Sequence, residues 1–175
     1  MTVLPLERIR TGLPDIIAIQ NNDSMNPIHT KYSEAETLIF PEAITLKVLL
    51  SGDQTDGSHA VFEDIVEPGV GPGRHIHHNQ DETFFFLEGS FDVEVGGELY
   101  HMNPGDVALV PRGTVHAFKN VGQTKGRLRY FFSPSLTIEE MFRAFYATLE
   151  SGEFSQEIME KIALHHGQEF VGPPL

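Results

Sequence analysis

RHIHHNQDE, residues 74–82, places three histidines, two acids and an arginine in nine positions. Neutral imidazoles and carboxylates are the side chains that hold divalent first-row metals through nitrogen and oxygen. If residues 74–77 are extended, the period of two puts His75 and His77 on one face and Arg74, Ile76 and His78 on the other. NQD then reads as a turn. Glu82 opens the next strand, where its carboxylate returns to the face of the two histidines, with Phe84 and Phe86 following it inward. A fourth candidate lies in PRGTVHAF, where His116 begins a short strand and shares a face with Phe118. Other histidines fit less well. His29 lies in an irregular stretch, His59 has no acid at ligand spacing, His101 stands at a hairpin edge, and His165 and His166 close a helix.

These residues need a scaffold of short strands. ITLKVLL (44–50), HAVFEDIV (59–66), ETFFFLEG (82–89), SFDVEVG (90–96), DVALVP (106–111) and RLRYFF (127–132) are strand-like runs separated by Gly and Pro turns. There is no room for crossover helices between them, so the spacing predicts an antiparallel sandwich or barrel. After Ser133 the period changes. Thr137 and Glu140 have capping-box spacing, with Leu136 and Met141 placed for a hydrophobic staple. Ile138, Met141, Phe142, Phe145 and Leu149 form one helical stripe, and a second helix is expected from Ser155 to His166, stopped by Gly167. The expected organisation is one domain: residues 1–134 as a β-barrel with an N-terminal arm, and residues 135–175 as a helical extension packed on it. NNDSMNP (21–27) reads as loop.

Composition limits the chemistry. The 175-residue chain has no cysteine, which excludes disulfides, thiolate ligands and a cysteine nucleophile. It has 13 Phe and no Trp, so aromatic packing falls to phenylalanine. The formal charge of -13, with no basic cluster, repels phosphate backbones and anionic lipids, so neither nucleic acid nor membrane is expected as a partner. No signal-peptide pattern is visible, and a cytoplasmic location is expected.

Two longer patterns enclose the candidate ligands. Gly69, His75, His77, Glu82 and Gly89 are separated by five, one, four and six residues. Gly105, Pro111, Gly113, His116 and Asn120 are separated by five, one, two and three. Together they resemble the two motifs of the cupin superfamily, with a fifteen-residue spacer like that of small bacterial cupins. The resemblance extends over roughly residues 40–132. It implies a mainly β, double-stranded β-helix jelly-roll barrel, here with a C-terminal helical hairpin. It implies that His75, His77, Glu82 and His116 hold one divalent transition metal per chain: nickel, manganese, iron, cobalt or zinc.

Within the superfamily the chain resembles quercetin 2,3-dioxygenase-like mono-cupins. That implies dioxygenase action on a small hydroxylated aromatic, with Glu82 as catalytic base and Phe84, Phe86 and Phe118 lining the pocket. A metal-dependent isomerase or epimerase and a non-catalytic small-molecule binder are the alternatives. Cupins commonly pair, so a homodimer is expected, with residues 1–40 as the exchanging arm.

Overall fold

The computed structural model describes residues 27–175. The arm expected over residues 1–40 and the loop expected at 21–27 therefore fall largely outside the described residues.

Eleven strands form two antiparallel sheets that face one another. The chain opens with β1 (Glu36–Phe40), β2 (Ile44–Leu50), β3 (Ala60–Val66), β4 (Arg74–His77) and β5 (Asp81–Glu88). It continues through β6 (Phe91–Val95), β7 (Glu98–Met102), β8 (Val107–Val110), β9 (His116–Asn120) and β10 (Gly126–Ser133). Two helices follow, α1 (Ile138–Glu150) and α2 (Gln156–His165), and then β11 (Gln168–Gly172). One sheet has the order β1-β2-β3-β10-β5-β8, and the other β11-β4-β9-β6-β7. The expected closed barrel is corrected here: neither sheet rolls onto itself. Between β3 and β10 the chain passes repeatedly from one sheet to the other through glycine and proline turns, so no single hydrogen-bonded ladder runs around the molecule.

Strict alternation builds the space between the sheets. On β5, Glu82, Phe84 and Phe86 are buried while Phe85 faces outward. On β10, Leu128, Tyr130 and Phe132 are buried, and Arg127 and Arg129 stand on the opposite face and reach Glu63 of β3. Phe62, Phe91, Val93 and Phe118 complete the inner layer. The loop leading into β4 runs tight against β9 and requires glycine at Gly71, where a Cβ would lie 1.7 Å from the Phe118 carbonyl oxygen.

The helices seal one side. Ile138, Met141 and Phe145 of α1 and Ala163 of α2 are buried in the same core. Ser155 caps α2 by accepting from the Ile158 amide, and Gly167 ends it at φ 81°. The expected capping box at Thr137 does not form. Its hydroxyl lies 2.8 Å from His166 Nδ1 and makes no cap bond, so a tertiary contact outcompetes the local one. Leu136 is half-exposed while Met141 is buried, so the staple is also not made. β11 was not expected from the sequence. It pairs antiparallel with β4, Gln168 opposite His77 and Phe170 opposite His75, and covers the edge of the strand that carries two candidate ligands.

Candidate metal centre

β4 is four residues long and alternates as expected, with His75 and His77 buried and Arg74 turned to the other face. There Arg74 donates to both carboxylate oxygens of Glu94 at 2.9 Å and to the Pro173 carbonyl at 2.9 Å. The register sets His75 opposite His116 on β9. Glu82 enters from β5 in the facing sheet, while its neighbour Asp81 turns outward to a bidentate pair with Arg112. One ligand atom from each of His75, His77, Glu82 and His116 lies within 4.8 Å of all the others. All four side chains are buried.

Two of the imidazoles are held by backbone acceptors. His75 Nδ1 is 2.8 Å from the Gly73 carbonyl and His116 Nδ1 is 3.0 Å from the Thr114 carbonyl. Each contact places the Nδ1 proton on a carbonyl and aims Nε2 into the cluster, the outer support that ligand histidines need. His116 Nε2 is 2.9 Å from Glu82 Oε2, and His77 Nε2 is 3.5 Å from the same oxygen. His77 Nδ1 is buried with no hydrogen-bond partner among the described residues.

Electrostatics keep the ligands in receptive forms. Burial lowers His75 to about 3, helped by His116 beside it, and burial also holds His77 well below its ordinary value. Both are therefore neutral, with free lone pairs. Burial works against charge on His116, but the Glu82 carboxylate outweighs it and raises that imidazole. Burial raises Glu82 as well. Both groups therefore hold a proton more readily than when free, and a cation would compete with it on binding.

The donor set fits a divalent ion. Metal–nitrogen and metal–oxygen bonds of about 2.0–2.2 Å put donors roughly 3–4 Å apart, close to the spacing present. Three neutral imidazoles and one carboxylate leave such an ion a net charge near +1. The cluster forms a single divalent-metal-binding site, one per chain.

Beside it lies a cavity of about 310 Å³. His75, His77 and Glu82 form part of its wall, and Phe84, Phe118, Tyr130 and Phe132 from the sheets and Phe142 and Phe145 from α1 make it aromatic. Phe86 does not reach this wall. It is buried deeper, with its ring 5.3 Å from that of Phe91. Asp64 and Gln168 also line the cavity, and neither is among the site residues expected from the sequence. For Asp64 a signal was present: it shares the inward period of Ala60, Phe62 and Val66, where a carboxylate is out of place.

The fold and site together define a cupin-superfamily fold carrying a His/His/Glu/His metal centre, and residues 62–133 match the cupin domain family. In fold the chain is similar to an RmlC-like cupin from Shewanella frigidimarina NCIMB 400, with a TM-score of 0.53 at 20% identity over 64% of this chain and 96% of that one. It is 35% identical to quercetin 2,3-dioxygenase of Bacillus subtilis (strain 168) over 81 residues, covering 41% of this chain and 24% of that one. It is 29% identical to polyketide synthase CurC of Streptomyces cyaneus over 70 residues, 40% of this chain and 46% of the other. The chain therefore spans less than half the length of these two curated relatives. Among solved structures, one from Thermotoga maritima described as a predicted oxalate decarboxylase superposes with a TM-score of 0.58 at 19% identity. That match covers 61% of this chain and 99% of the other, and it speaks to the fold.

Proposed function

We propose that the protein is a metal-dependent dioxygenase acting on a small hydroxylated aromatic. The observation that carries this reading is a buried His/His/Glu/His quartet opening onto a cavity with eight phenylalanines in its wall. A bound divalent ion would supply an electropositive centre for an ionised substrate oxygen and for dioxygen chemistry. His75, His77 and His116 would hold it, with the Gly73 and Thr114 carbonyls fixing two of the rings. Glu82 would contribute a ligand oxygen and accept the substrate hydroxyl proton. Burial favours its protonated form, which makes it a better base than an exposed glutamate. The aromatic wall would hold a flat substrate and exclude water. Arg74 and Arg112 are committed to Glu94 and Asp81, so no arginine of these strands serves a phosphate in the cavity.

The similarity to a quercetin 2,3-dioxygenase supports the same reading. The test is oxygen uptake by protein loaded separately with nickel, manganese, cobalt and iron, across flavonols, catechols and enolised diketones. Uptake with at least one pairing is expected, and none with any pairing defeats the reading. A second reading, isomerisation of an enolisable substrate without oxygen, is favoured by the similarity to a polyketide synthase protein. Product formation under nitrogen would select it.

A further inference from the structure

Asp64 is a carboxyl group with no role in the metal centre, yet it stands in the wall of the same cavity and is 4% exposed. Tyr130 donates to its Oδ1 at 3.1 Å. That tyrosine is itself fixed, its ring stacked on Phe62 at 5.5 Å and 25° and packed against Phe84 and Phe132. No described residue donates to Asp64 Oδ2, and Asp64 is one of the residues that line the cavity. Burial pushes the Asp64 carboxyl up to about 8, and the charges of Glu82 and Glu63 add to this while the Tyr130 hydroxyl opposes it. Its protonated form, a carboxylic acid with one proton to donate, is therefore favoured.

Its position relative to Glu82 follows from the register. On β10, Phe132 lies opposite Glu82 and Leu128 opposite Asp64. Four residues along a strand amount to about 13 Å, and the two strand spacings from β3 to β5 to about 10 Å. The two side chains lean from these separate points into one cavity. The chamber therefore has a metal-binding end and, across an aromatic middle, a hydrogen-bonding end.

We propose that Asp64, positioned by Tyr130, is a specificity-determining residue that donates a hydrogen bond to an acceptor oxygen on the end of the substrate remote from the metal. This deepens, and rests on, the reading of the cavity as a site for oxygenated aromatics. The ligand is elongated, flat and weakly charged. One hydroxyl or enol oxygen goes to the metal end and a second oxygen to Asp64. Carboxyl Oδ1 accepts from Tyr130 while Oδ2–H donates to the ligand, so both oxygens are used. A ligand lacking the remote oxygen leaves a buried polar group unpaired, which costs affinity.

The test uses cobalt-loaded protein under nitrogen, so that binding is read without turnover. The probes are 3-hydroxyflavone and its 7-, 3′- and 4′-hydroxy derivatives, measured by calorimetry. Wild type should bind at least one derivative ~10-fold or more tighter than the parent compound. Asp64→Asn, which keeps a donor, should retain that preference, and Asp64→Leu should bring it within about twofold, with cobalt content equal in all three. Asp64→Ala serves the same comparison should Asp64→Leu fail to fold. An unchanged preference without the carboxyl, or no binding of any probe, overturns the assignment. Oxygen uptake in air separates the two ideas. Uptake with a preference indifferent to Asp64 removes this inference alone, and a preference lost in Asp64→Leu without any uptake removes the dioxygenase reading alone.

Discussion

His75 and His116 face one another as partners on adjacent strands, their rings 4.2 Å apart, while Glu82 arrives from the opposite sheet. The site is thus held by three strands in two sheets, and its four ligands have different burdens. Removing an imidazole removes a donor and leaves a cavity, so His77→Ala and His116→Ala should lower metal content and activity together, as elemental analysis beside turnover would show. Glu82→Gln is a different case. Three imidazoles remain as donors, but the proton acceptor and its negative charge are gone. General-base assistance is typically worth ~10²–10⁴-fold, so turnover should fall at least ~10-fold further than occupancy. Equal losses would mean that Glu82 is a ligand and nothing more. The four ligand positions were legible in the sequence because alternation puts each on an inward face and because the two glycine-bounded motifs fix their spacing. The carbonyl supports at Gly73 and Thr114 were not, since backbone groups carry no sequence signature.

At the scale of elements, β5 and β10 were readable from their alternation, and β4 and β9 from the motif residues they carry. β11 was not. EFVG is short, follows two helices and precedes Pro173, and it becomes a strand because β4 offers an open edge. β7 hid for a related reason: as an edge strand with four of five residues exposed, it shows no inward period. Gly71→Ala should be severe, because the added Cβ meets a backbone carbonyl of β9 rather than a side chain that can swing away. A loss of about 4 kcal/mol or more is expected in denaturant melts, with reduced metal content as β4 and β9 part. Glu63 ties other elements together. It is fully buried, accepts from Tyr32 at 2.7 Å and from Arg129 at 2.6 Å, and these partners with Arg127 overcome its burial to hold its pKa below the ordinary glutamate range. A depressed carboxylate stabilises the fold above that range and loses its contribution as acid protonates it. Glu63→Gln should therefore cost about 1–3 kcal/mol at neutral pH, and the gap from wild type should narrow in acid.

For the whole molecule, the two unclosed sheets leave edges, and one of them is apolar. β8 ends the larger sheet with Val107 and Leu109 54% and 61% exposed, and Phe85 beside it on β5 stacks on Phe131 at 6.2 Å with its ring partly in solvent. An exposed edge with apolar outward residues invites pairing with another chain, and natural sheets usually block it with charge, proline or cover. β8 itself carries no lysine or arginine, while Arg129 of β10 lies opposite Phe85 on the adjoining face. The -13 charge of the chain opposes nonspecific association. A homodimer through the outer face of β5 and β8 is the prediction at this scale; the pairing through residues 1–40 expected from sequence falls largely outside the described residues. Light scattering at micromolar concentration should give about twice the 19.5 kDa chain mass. Leu109→Lys should return the protein to a single chain without changing its metal content, because Leu109 lies on the outer face of a strand that supplies no ligand. A wild-type particle of 19.5 kDa would defeat the expectation outright. A dimer indifferent to Leu109→Lys would move the interface to another face.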